Sequence, residues 1–388
     1  MPELSRRVQT FTDSVIRRMT RINDMTPGSI NLSQGFPDFD PPKEILEALK
    51  AAAEHGPHQY SITFGAKNFR DALADMYTKK WNRPIDPDKE IVVTCGGTEA
   101  MMAAMMTVCN PGDKVAVFSP FYENYGADAI LSGADPIYIP LVPPDFYYDR
   151  AVLEQAFRDG AKALILCNPS NPCGKVFTMG EMEEIAELAK RYGAFVITDE
   201  VYEYIIYDGN RHISMAALPG MYERTITCSS LSKTYSMTGW RLGYAACNEE
   251  IVKTVNKLHQ HVVTCATSFV QKAGVVALKE EKNEVTDMVK EYQRRRDYAV
   301  KAINEIDGLS CRCPKGAFYI FINIEKLGMT GQEFAPLLLE NAKVALVPGD
   351  VFGTEGDHYV RMSFANSYEN VVEGCKRLKE FVEKLRSN

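Results

Sequence analysis

Residues 230–241 read SLSKTYSMTGWR, and this stretch directly follows an apolar, β-rich run at residues 225–229. It places Lys233 among small and apolar residues just beyond a predicted strand. In such surroundings a lysine amine loses its charge more easily and can act as a nucleophile. A lone lysine is more often a solvated surface residue, so the meaning of Lys233 depends on the rest of the chain.

Seven short apolar runs rich in β-forming residues recur along the middle of the chain. They occupy residues 90–95, 114–119, 136–140, 162–167, 194–198, 225–229 and 242–247. Their apolar residues do not alternate strictly with polar ones, which is typical of strands buried on both faces. Helix-like stretches such as residues 179–192 separate several of them, and this alternation indicates crossover connections. We therefore expect an α/β fold with a mainly parallel, seven-stranded sheet.

The pattern changes beyond about residue 285. A long charged helix at residues 284–307 leads to strand-like segments at 317–322, 345–348 and 359–363, with helices near 330–342 and 371–384. The 388 residues are in any case too many for one ordinary core and suggest roughly two domains. We expect a large domain of residues 46–284 and a smaller α+β domain made of residues 1–45 and 285–388.

Composition and charge exclude several classes of protein. The net charge of −7 disfavours a nucleic-acid-binding surface. The longest apolar stretch, near residues 100–109, is about half of the ~20 residues that a membrane helix requires. The first residues lack the apolar core of a secretory signal, so we expect a cytoplasmic protein. The ten cysteines form no C-x-x-C pair, and without zinc-ligand spacing we expect reduced thiols and no bound metal.

Polar and glycine-rich segments follow three of the predicted strands, at the edge where a parallel sheet binds its ligands. GGT (96–98) opens a helix and suits an anion, although a plain strand-to-helix turn explains it equally well. NPSNPCG (168–174) forms a rigid, extended turn. DEVY (199–202) places a carboxylate after the next strand, where it is often only a helix N-cap.

Taken together, these segments resemble the signature of fold-type I pyridoxal-5′-phosphate (PLP) enzymes, the class I and II aminotransferases. The residues that carry the resemblance are Asn171, Asp199, Tyr202, Ser230, Lys233 and Arg241, in the patterns N-P-x-N-P-x-G, D-E-V-Y and S-x-S-K-x-x-x-x-x-G-W-R. The resemblance extends from Gln34-Gly35 to Arg361, nearly the whole chain. It implies a PLP-dependent transfer of an amino group from an L-amino acid to a 2-oxo acid such as 2-oxoglutarate, by a homodimer with shared active sites.

The resemblance implies three catalytic residues. Lys233 is expected to hold the PLP aldehyde as a Schiff base and then to move a proton between the substrate Cα and C4′ of the cofactor. Asp199 is expected to keep the ring nitrogen protonated, because a nearby opposite charge favours the charged form. Tyr202, together with Asn171, matches the family positions that hydrogen-bond the phenolic oxygen of PLP.

The phosphate of PLP also has matching positions. Arg241 offers a bidentate fork, and Ser230 offers a hydroxyl three residues before the lysine. Gly97 and Thr98 stand at a helix start, where backbone N–H groups bind an anion. The family takes a further tyrosine from the neighbouring subunit, and Tyr60 occupies the position where that residue is expected.

The cofactor ring and the substrate complete the implied site. Tyr122, in the run FYENY (121–125), matches the aromatic residue that stacks on the ring, while the other two aromatics of the run can equally be core residues. Arg361 matches the arginine that binds the substrate α-carboxylate, a role that suits its planar cation. Gly35 matches the glycine that closes over the substrate, and Asn171 also belongs to the substrate-binding set.

The amino donor is less defined. QGFPDF (34–39) and residues 60–65 resemble the subgroup of methionine, kynurenine and other aromatic aminotransferases, but aspartate-preferring enzymes share most of these motifs. A dicarboxylate needs a second cation, and neither Arg70 nor Lys67 is assigned to it, because both suit a surface or helix-cap role better. An aromatic or aliphatic amino donor is favoured over aspartate.

One other use of the same scaffold stays open, and two further hypotheses are disfavoured. A PLP-dependent C–S β-lyase would share these motifs, and only its products, pyruvate and ammonia, would distinguish it. A regulator that fuses this fold to a DNA-binding domain is disfavoured, since the enzyme-like segment starts almost at residue 1. Nicotinamide binding is also disfavoured, since no G-x-G-x-x-G follows an early strand.

Overall fold

The computed structural model describes Ser5, Gln9, Phe11 and residues 13–279 and 283–387. The α-helices in this part of the chain are α1 (Val15–Asp24), α2 (Lys43–His55), α3 (Lys67–Trp81), α4 (Gly97–Val108), α5 (Asn124–Ser132), α6 (Arg150–Arg158), α7 (Met179–Tyr192), α8 (Glu249–Val262), α9 (Ser268–Lys279), α10 (Asn283–Asn304), α11 (Gly331–Ala342) and α12 (Tyr368–Ser387). None of these helices is long and apolar enough to cross a bilayer.

The β-strands of the same residues are β1 (Ile30–Asn31), β2 (Ile91–Thr94), β3 (Lys114–Ser119), β4 (Asp135–Val142), β5 (Tyr147–Tyr148), β6 (Ala161–Cys167), β7 (Phe195–Asp199), β8 (Thr225–Ser230), β9 (Gly243–Ala246), β10 (Ser310–Cys311), β11 (Tyr319–Asn323), β12 (Val344–Ala345), β13 (Val347–Pro348) and β14 (Tyr359–Ser363). They form one large sheet and two smaller ones.

The large sheet has eight strands in the order β2-β9-β8-β7-β6-β3-β4-β5. The five strands from β8 to β4 are parallel, whereas β9 runs antiparallel to both of its neighbours and β5 antiparallel to β4. All seven predicted runs form strands of this sheet, and the α/β class is confirmed. The eighth strand, β5, has only two residues and is too short for sequence periodicity to indicate.

Burial explains why the central strands are apolar along their whole length. Nearly every residue of β6, β7 and β8 is buried, because helices cover both faces of the sheet. The α4 and α8 side chains pack on one face, and those of α6 and α7 on the other. The side chains along the strands pack against these helices, so the polar residues that can bind a ligand lie at the strand ends.

Helix α7 shows how local sequence sets the element bounds. Thr178 and Glu181 form a reciprocal capping box at its start, which satisfies backbone N–H groups that have no partner within the helix. Gly193 ends the helix in a left-handed conformation with a φ of 67°. Both signals are legible in the sequence, and the helix matches the predicted residues 179–192.

A second unit is built around the four-stranded antiparallel sheet β10-β11-β14-β13. Helices α10 and α12 pack against each other beside it. Strand β1, from the N-terminal part of the chain, pairs in parallel with β12. This pairing joins the N-terminal segment to the C-terminal unit, while the domain boundaries at residues 45 and 284 stay a prediction.

Candidate active site

A cavity of about 560 Å³ lies where β6, β7 and β8 end. Every site residue predicted from the sequence lines this cavity, with the exception of Tyr60. The lining residues that were predicted are Gly35, Gly97, Thr98, Tyr122, Asn171, Asp199, Tyr202, Ser230, Lys233, Arg241 and Arg361. Tyr60 lies outside the cavity on the loop between α2 and α3, and its side chain is 83% exposed.

Lys233 extends into this cavity from the loop after β8. Its Nζ donates a 2.6 Å hydrogen bond to the carbonyl oxygen of Gly35. Burial, together with the charges of Arg361 and Arg241, lowers the pKa of the Lys233 amine to about 8. The amine is therefore partly neutral near physiological pH, which is the form that attacks a carbonyl.

Asp199 ends β7 at the floor of the cavity. Its Oδ2 accepts a 2.7 Å hydrogen bond from the hydroxyl of Tyr125, and its Oδ1 accepts one from the backbone N–H of Val201 at 3.3 Å. Burial raises the pKa of Asp199, and these two hydrogen bonds oppose the rise. Tyr125 is thus a site residue that the sequence left open as a core aromatic, with only its spacing from Tyr122 to suggest more.

Asp128 is a second buried carboxyl in the cavity, one turn along α5 from Tyr125. Its side chain is 3% exposed, and its Oδ2 has no hydrogen-bond partner among the described residues. Burial and the charge of Asp199 raise the pKa of Asp128 to about 8. An acidic residue within an apolar helix was the one local sign of this group before the structure was known.

Two tyrosines from distant parts of the chain also meet in the cavity. The hydroxyls of Tyr202, after β7, and Tyr319, on β11, lie 2.9 Å apart, and both rings are buried. The Tyr319 hydroxyl also closes the space beside Gly35, where an added Cβ would lie 1.9 Å from it. Any side chain at position 35 would therefore require the buried Tyr319 ring to move, which gives a packing reason for a glycine that the sequence had assigned to substrate closure.

The start of α4 and the Arg241 guanidinium form a second part of the cavity. Helix α4 begins at Gly97 behind Gly96, whose φ is 86° and which offers no side-chain cap. The Nη1 of Arg241 donates to the carbonyl oxygen of Thr238 at 3.0 Å, and a Cβ on Gly96 would lie 2.4 Å from Nη2. Glycine therefore lets a guanidinium and uncapped helix N–H groups approach each other, an arrangement that suits an anion.

Arg361, on β14, lies on the opposite side of the cavity. It is 1% exposed, with Nη1 donating to the Oδ1 of Asn171 at 2.9 Å and Nη2 to the carbonyl oxygen of Ser33 at 2.7 Å. The guanidinium lies 4.3 Å from the centre of the Tyr319 ring. Its Nε is buried with no hydrogen-bond partner among the described residues, and each Nη group uses only one of its two N–H donors there, so donors remain for a ligand.

Helix α1 lines the mouth of the cavity, which the sequence did not foresee. The Ser14 hydroxyl donates to the Glu123 carboxylate, and the Nε2 of Gln34 donates to the Thr20 hydroxyl at 2.8 Å. These bonds hold α1 against the segment after Tyr122 and the segment before Gly35. Ile16 and Arg17 of this helix contribute to the lining.

A buried ionic cluster lies behind Asp199, outside the cavity. The Lys80 ammonium pairs with Glu200 at 2.9 Å and contacts Glu203. Burial acts to raise the pKa of Glu200, but the charges of Lys80 and His212 and the hydrogen bonds from Lys80 and Ser214 together hold this pKa below its ordinary value. Burial lowers the pKa of the neighbouring His212 to about 4. Glu200, Glu203 and His212 could hold a metal ion by their spacing, but the ammonium already supplies the positive charge there.

The chain that forms this cavity is similar in sequence and structure to known proteins. Residues 27–378 match the family described as aminotransferase class I and II. The aromatic-amino-acid aminotransferase 2 of Thermococcus litoralis is 37% identical over 386 residues, or 99% of each chain. The aspartate aminotransferase of Pyrococcus abyssi is 38% identical over 386 residues, again 99% of each. An aromatic aminotransferase structure from Pyrococcus horikoshii OT3 is 38% identical with a TM-score of 0.90, covering 95% of this chain and 99% of that one.

The chain belongs to the class I and II aminotransferases. It is a transferase that moves amino groups, and its cofactor is pyridoxal phosphate, as the resemblance in sequence implied.

The residues of the cavity fit this cofactor. Asp199 is a buried carboxyl with a raised pKa, and a cationic ring nitrogen would supply the opposite charge that it lacks. The uncapped start of α4 beside Arg241 suits a phosphate dianion. Lys233 offers a partly neutral amine to an aldehyde.

Proposed function

We propose that this cavity is the aminotransferase active site and that its residues have the roles the sequence predicted. Pyridoxal phosphate supplies the electron sink that stabilises negative charge at the substrate Cα. Lys233 anchors the cofactor covalently and acts as the base that removes the Cα proton, since its amine has a lowered pKa and faces the cavity. This amine, poised opposite the buried Asp199, is the observation that carries the proposal.

Asp199 holds the charge on the cofactor ring nitrogen, and Tyr125 orients its carboxylate. Asn171 and Tyr202 donate hydrogen bonds to the phenolic oxygen of the cofactor. Contacts with Arg361 and Tyr319, respectively, hold these two side chains in the cavity. Tyr122 covers one face of the ring. Asp199, Asn171, Tyr202 and Tyr122 contact the cofactor ring. They therefore influence the electronic state of the cofactor and do not contact the side chain of the substrate.

The phosphate is held by Arg241, Ser230, Gly97 and Thr98, at the uncapped start of α4. Arg361 binds the substrate α-carboxylate, because it is a buried guanidinium whose bonds to described residues use only two of its five N–H donors. Gly35 closes over the substrate, and its carbonyl oxygen accepts the hydrogen bond from Lys233.

The amino donor that we propose is an aromatic or other large apolar L-amino acid. The mouth of the cavity carries Phe36, which is 47% exposed, and Ile16, and neither has a polar group to offer a substrate. The relatives include an aromatic-amino-acid aminotransferase from Thermococcus litoralis, and aspartate aminotransferases are equally similar in identity. Aspartate is therefore the second candidate donor.

A spectral titration tests this proposal. Purified holoenzyme is mixed with Asp, Glu, Met, Phe, Tyr, Trp, kynurenine or Ala, and loss of the long-wavelength cofactor band is followed. Phenylalanine, tyrosine or kynurenine should convert the cofactor at the lowest concentrations, with release of the matching 2-oxo acid. Release of pyruvate and ammonia from a cysteine conjugate without this conversion would instead support the β-lyase. Asp199→Ala should retain some cofactor but lose nearly all turnover, and full activity would remove its assigned role.

We further propose a homodimer in which Tyr60 completes the phosphate site of the neighbouring subunit. The Tyr60 loop is fixed to its own subunit, since Ser268 donates to the Gln59 carbonyl at 2.6 Å and Val93 donates its N–H to the Phe64 carbonyl at 2.9 Å. The Tyr60 side chain is 83% exposed on this anchored loop, so it is accessible to a neighbouring subunit. The cytoplasmic location stays a prediction.

Hybrid dimers test the shared site. Lys233→Ala homodimers should be inactive, and Tyr60→Ala homodimers should bind the cofactor weakly. A co-expressed hybrid of the two variants contains one site with both native residues, so cofactor affinity and activity should return to about half of the wild-type sites. A hybrid no better than the Tyr60→Ala homodimer would place Tyr60 in its own subunit's site or in none.

A further inference from the structure

The cavity contains one more buried acid than the roles above employ. Of the described residues that line it, three carry a carboxyl group: Glu123, Asp128 and Asp199. The Glu123 carboxylate accepts a hydrogen bond from the Ser14 hydroxyl, and Asp199 is assigned to the ring nitrogen of the cofactor. Asp128 is left without a role, although it is only 3% exposed and burying an acid is costly.

Helix α5 places Asp128 near Asp199. Tyr125 lies one turn earlier on the same face of this helix, and its hydroxyl donates to the Asp199 carboxylate. Among the described residues, Asp199 supplies the one charge that acts on the Asp128 carboxyl, and together with burial it raises the pKa of Asp128. Asp128 and Asp199 therefore form a carboxyl pair in the cavity, one acid from a helix and one from the sheet.

The two acids of the carboxyl pair have opposite surroundings. Both oxygens of Asp199 accept hydrogen bonds, from the Tyr125 hydroxyl and the Val201 N–H, and such donors stabilise the ionised form. The Oδ2 of Asp128 is buried without a hydrogen-bond partner, and no cation of the described residues pairs with it. The Ser132 hydroxyl donates to the backbone carbonyl of Asp128 and not to its carboxyl group. Burial without donors favours the neutral acid.

The other titratable groups around Asp128 leave this difference unchanged. Burial raises the pKa of the Tyr125 hydroxyl and of the Cys228 thiol on β8, so both stay neutral near pH 7. Helix α4 contributes Thr98 and Met101 to the same cavity, and neither titrates. In the cofactor-free protein the carboxyl pair therefore holds one proton, and Asp128 carries it, as expected when surroundings separate the pKa values of two acids.

A cationic ring nitrogen changes the charge balance of the carboxyl pair. In the proposed function this cation binds opposite Asp199, so it offsets the negative charge that opposes ionisation of Asp128. A positive charge nearby also favours a carboxylate directly. Both effects act to release the proton of Asp128 when the cofactor binds.

We propose that Asp128 is a second counter-charge for the cofactor ring nitrogen, a neutral acid before the cofactor binds and a carboxylate afterwards. This inference rests on the proposed function, in which Asp199 holds the same nitrogen. The O–H bond of Asp128 breaks and its proton passes to water, so a cation replaces a proton and no electrons are transferred. Two carboxylates hold the ring proton more firmly than one, and Asp128 should therefore extend the protonated state of the ring to higher pH.

Proton counting tests this exchange. Cofactor-free protein is titrated at pH 7 with 4′-deoxypyridoxine 5′-phosphate, which has no aldehyde and so cannot form a covalent bond with Lys233. Calorimetry in buffers of different ionisation enthalpy gives the number of protons released for each ligand bound. The wild type should release roughly one proton more than Asp128→Asn, which keeps the size of the side chain but has no proton to release. Glu123→Gln, which alters the other carboxyl group without a cofactor role, should release as many protons as the wild type.

The affinity for 4′-deoxypyridoxine 5′-phosphate reports the same proton release. Because the wild type releases a proton on binding, its Kd should fall relative to that of Asp128→Asn by up to ~10-fold per pH unit as the pH rises towards 8. Above about pH 8 the ratio of the two Kd values should level off, since Asp128 has then lost its proton before the ligand binds. Equal proton release by the two proteins, or a ratio that does not change with pH, would overturn the inference.

The proposed function fails in a different way. With the same ligand labelled with ¹⁵N in its ring, NMR gives the pH at which the bound ring loses its proton. Asp199→Asn should lower this pH strongly, and Asp128→Asn should lower it by about one unit. If Asp199→Asn leaves it at the wild-type value, the assigned contact of the ring nitrogen is wrong. If Asp199→Asn lowers it while Asp128→Asn matches the wild type in this pH and in proton release, that contact stands and only the role of Asp128 is lost.

Discussion

The hydroxyl of Tyr125 donates a 2.7 Å hydrogen bond to Oδ2 of Asp199, and both groups are buried. Asp199 comes from the end of a central strand, and Tyr125 from a helix 74 residues earlier in the chain. The bond opposes the burial that raises the pKa of Asp199. Tyr125 therefore helps to keep Asp199 ionised, which is the form that can hold a cationic ring nitrogen.

Tyr125→Phe should lower kcat/KM by ~10-fold, because a hydrogen bond to a charged group contributes roughly 1.5–3 kcal/mol and its loss favours neutral Asp199. Steady-state kinetics and the Kd of the cofactor measure the effect. Tyr138→Phe is the control, since its ring stacks on Phe121 and it does not line the cavity. Equal activities of the two variants would show that the Tyr125 hydroxyl has no role in the reaction.

The covalent uptake of cofactor by Lys233 should follow the titration of its amine. With a pKa of about 8 instead of the ordinary 10.5, half of the amine is neutral at pH 8, against roughly one part in 300 for an unperturbed lysine. The uptake rate of the cofactor-free protein, followed by borohydride trapping and mass spectrometry, should rise with pH and level off above about pH 9. Nα-acetyllysine serves as the reference, and a protein profile that rises with it to pH 10.5 would contradict the lowered pKa.

Arg361→Lys should raise KM for every amino acid by ~30-fold or more, since a lysine cannot form the paired hydrogen bonds of a planar guanidinium. The loss of contacts to Asn171 and to the Ser33 carbonyl adds to this effect. Initial-rate kinetics give the KM values. The Kd of the cofactor is measured in parallel and should change little, and an unaltered KM would count against the assigned carboxylate contact.

Asp128→Asn should change how stability depends on pH. Burial raises the Asp128 pKa from 3.8 to about 8, so the folded protein keeps a proton that the unfolded chain releases between these values. The free energy of unfolding of the cofactor-free protein should therefore fall as pH rises from about 4 to 8, by at most ~1.4 kcal/mol per pH unit from this group. In urea unfolding, the free energy of unfolding of Asp128→Asn relative to that of the wild type should increase from about pH 4 to pH 8. The exposed Asp135→Asn should run parallel to the wild type, and parallel curves for all three proteins would contradict the prediction.

Lys80→Met should destabilise the protein by about 3–5 kcal/mol, because it leaves Glu200 and Glu203 buried without their cation. Urea unfolding at pH 7 gives the free energy. Lys79→Met is the matched control, since Lys79 is the neighbouring and exposed residue of the same helix. A loss below ~1 kcal/mol, as for an exposed ion pair, would mean that the cluster is solvated in solution.

Much of the fold could be predicted because its signals are local. The apolar runs of the large sheet and the capped helix α7 depend on residues that are neighbours in sequence. Residues that follow strands, such as Asp199 and Lys233, could be singled out because parallel strands end at one edge of a sheet, but their expected roles came from the resemblance to the family. Strand β5 was missed, since two residues cannot show a period.

The groups that sequence reasoning missed depend on distant contacts. Tyr319 reaches the cavity from β11, 117 residues beyond Tyr202, whose hydroxyl it contacts. Asp128 is an ordinary helix residue until the packing of α5 buries it against Asp199. Arg17 looks like any surface arginine, and only the attachment of α1 beside Gly35 brings it to the cavity. No local pattern encodes these three positions.

The two hydrogen bonds of Arg361 join segments that are 190 and 328 residues apart in the sequence. In the assignment proposed above, amino acid recognition requires the completed tertiary structure, whereas the phosphate site is built from the end of the large sheet and helix α4, with Tyr60 from the neighbouring subunit. A partly unfolded form that kept the large sheet would still bind the cofactor and show its absorbance, but it would no longer bind amino acids. Colour alone is thus an incomplete assay of correctly folded enzyme.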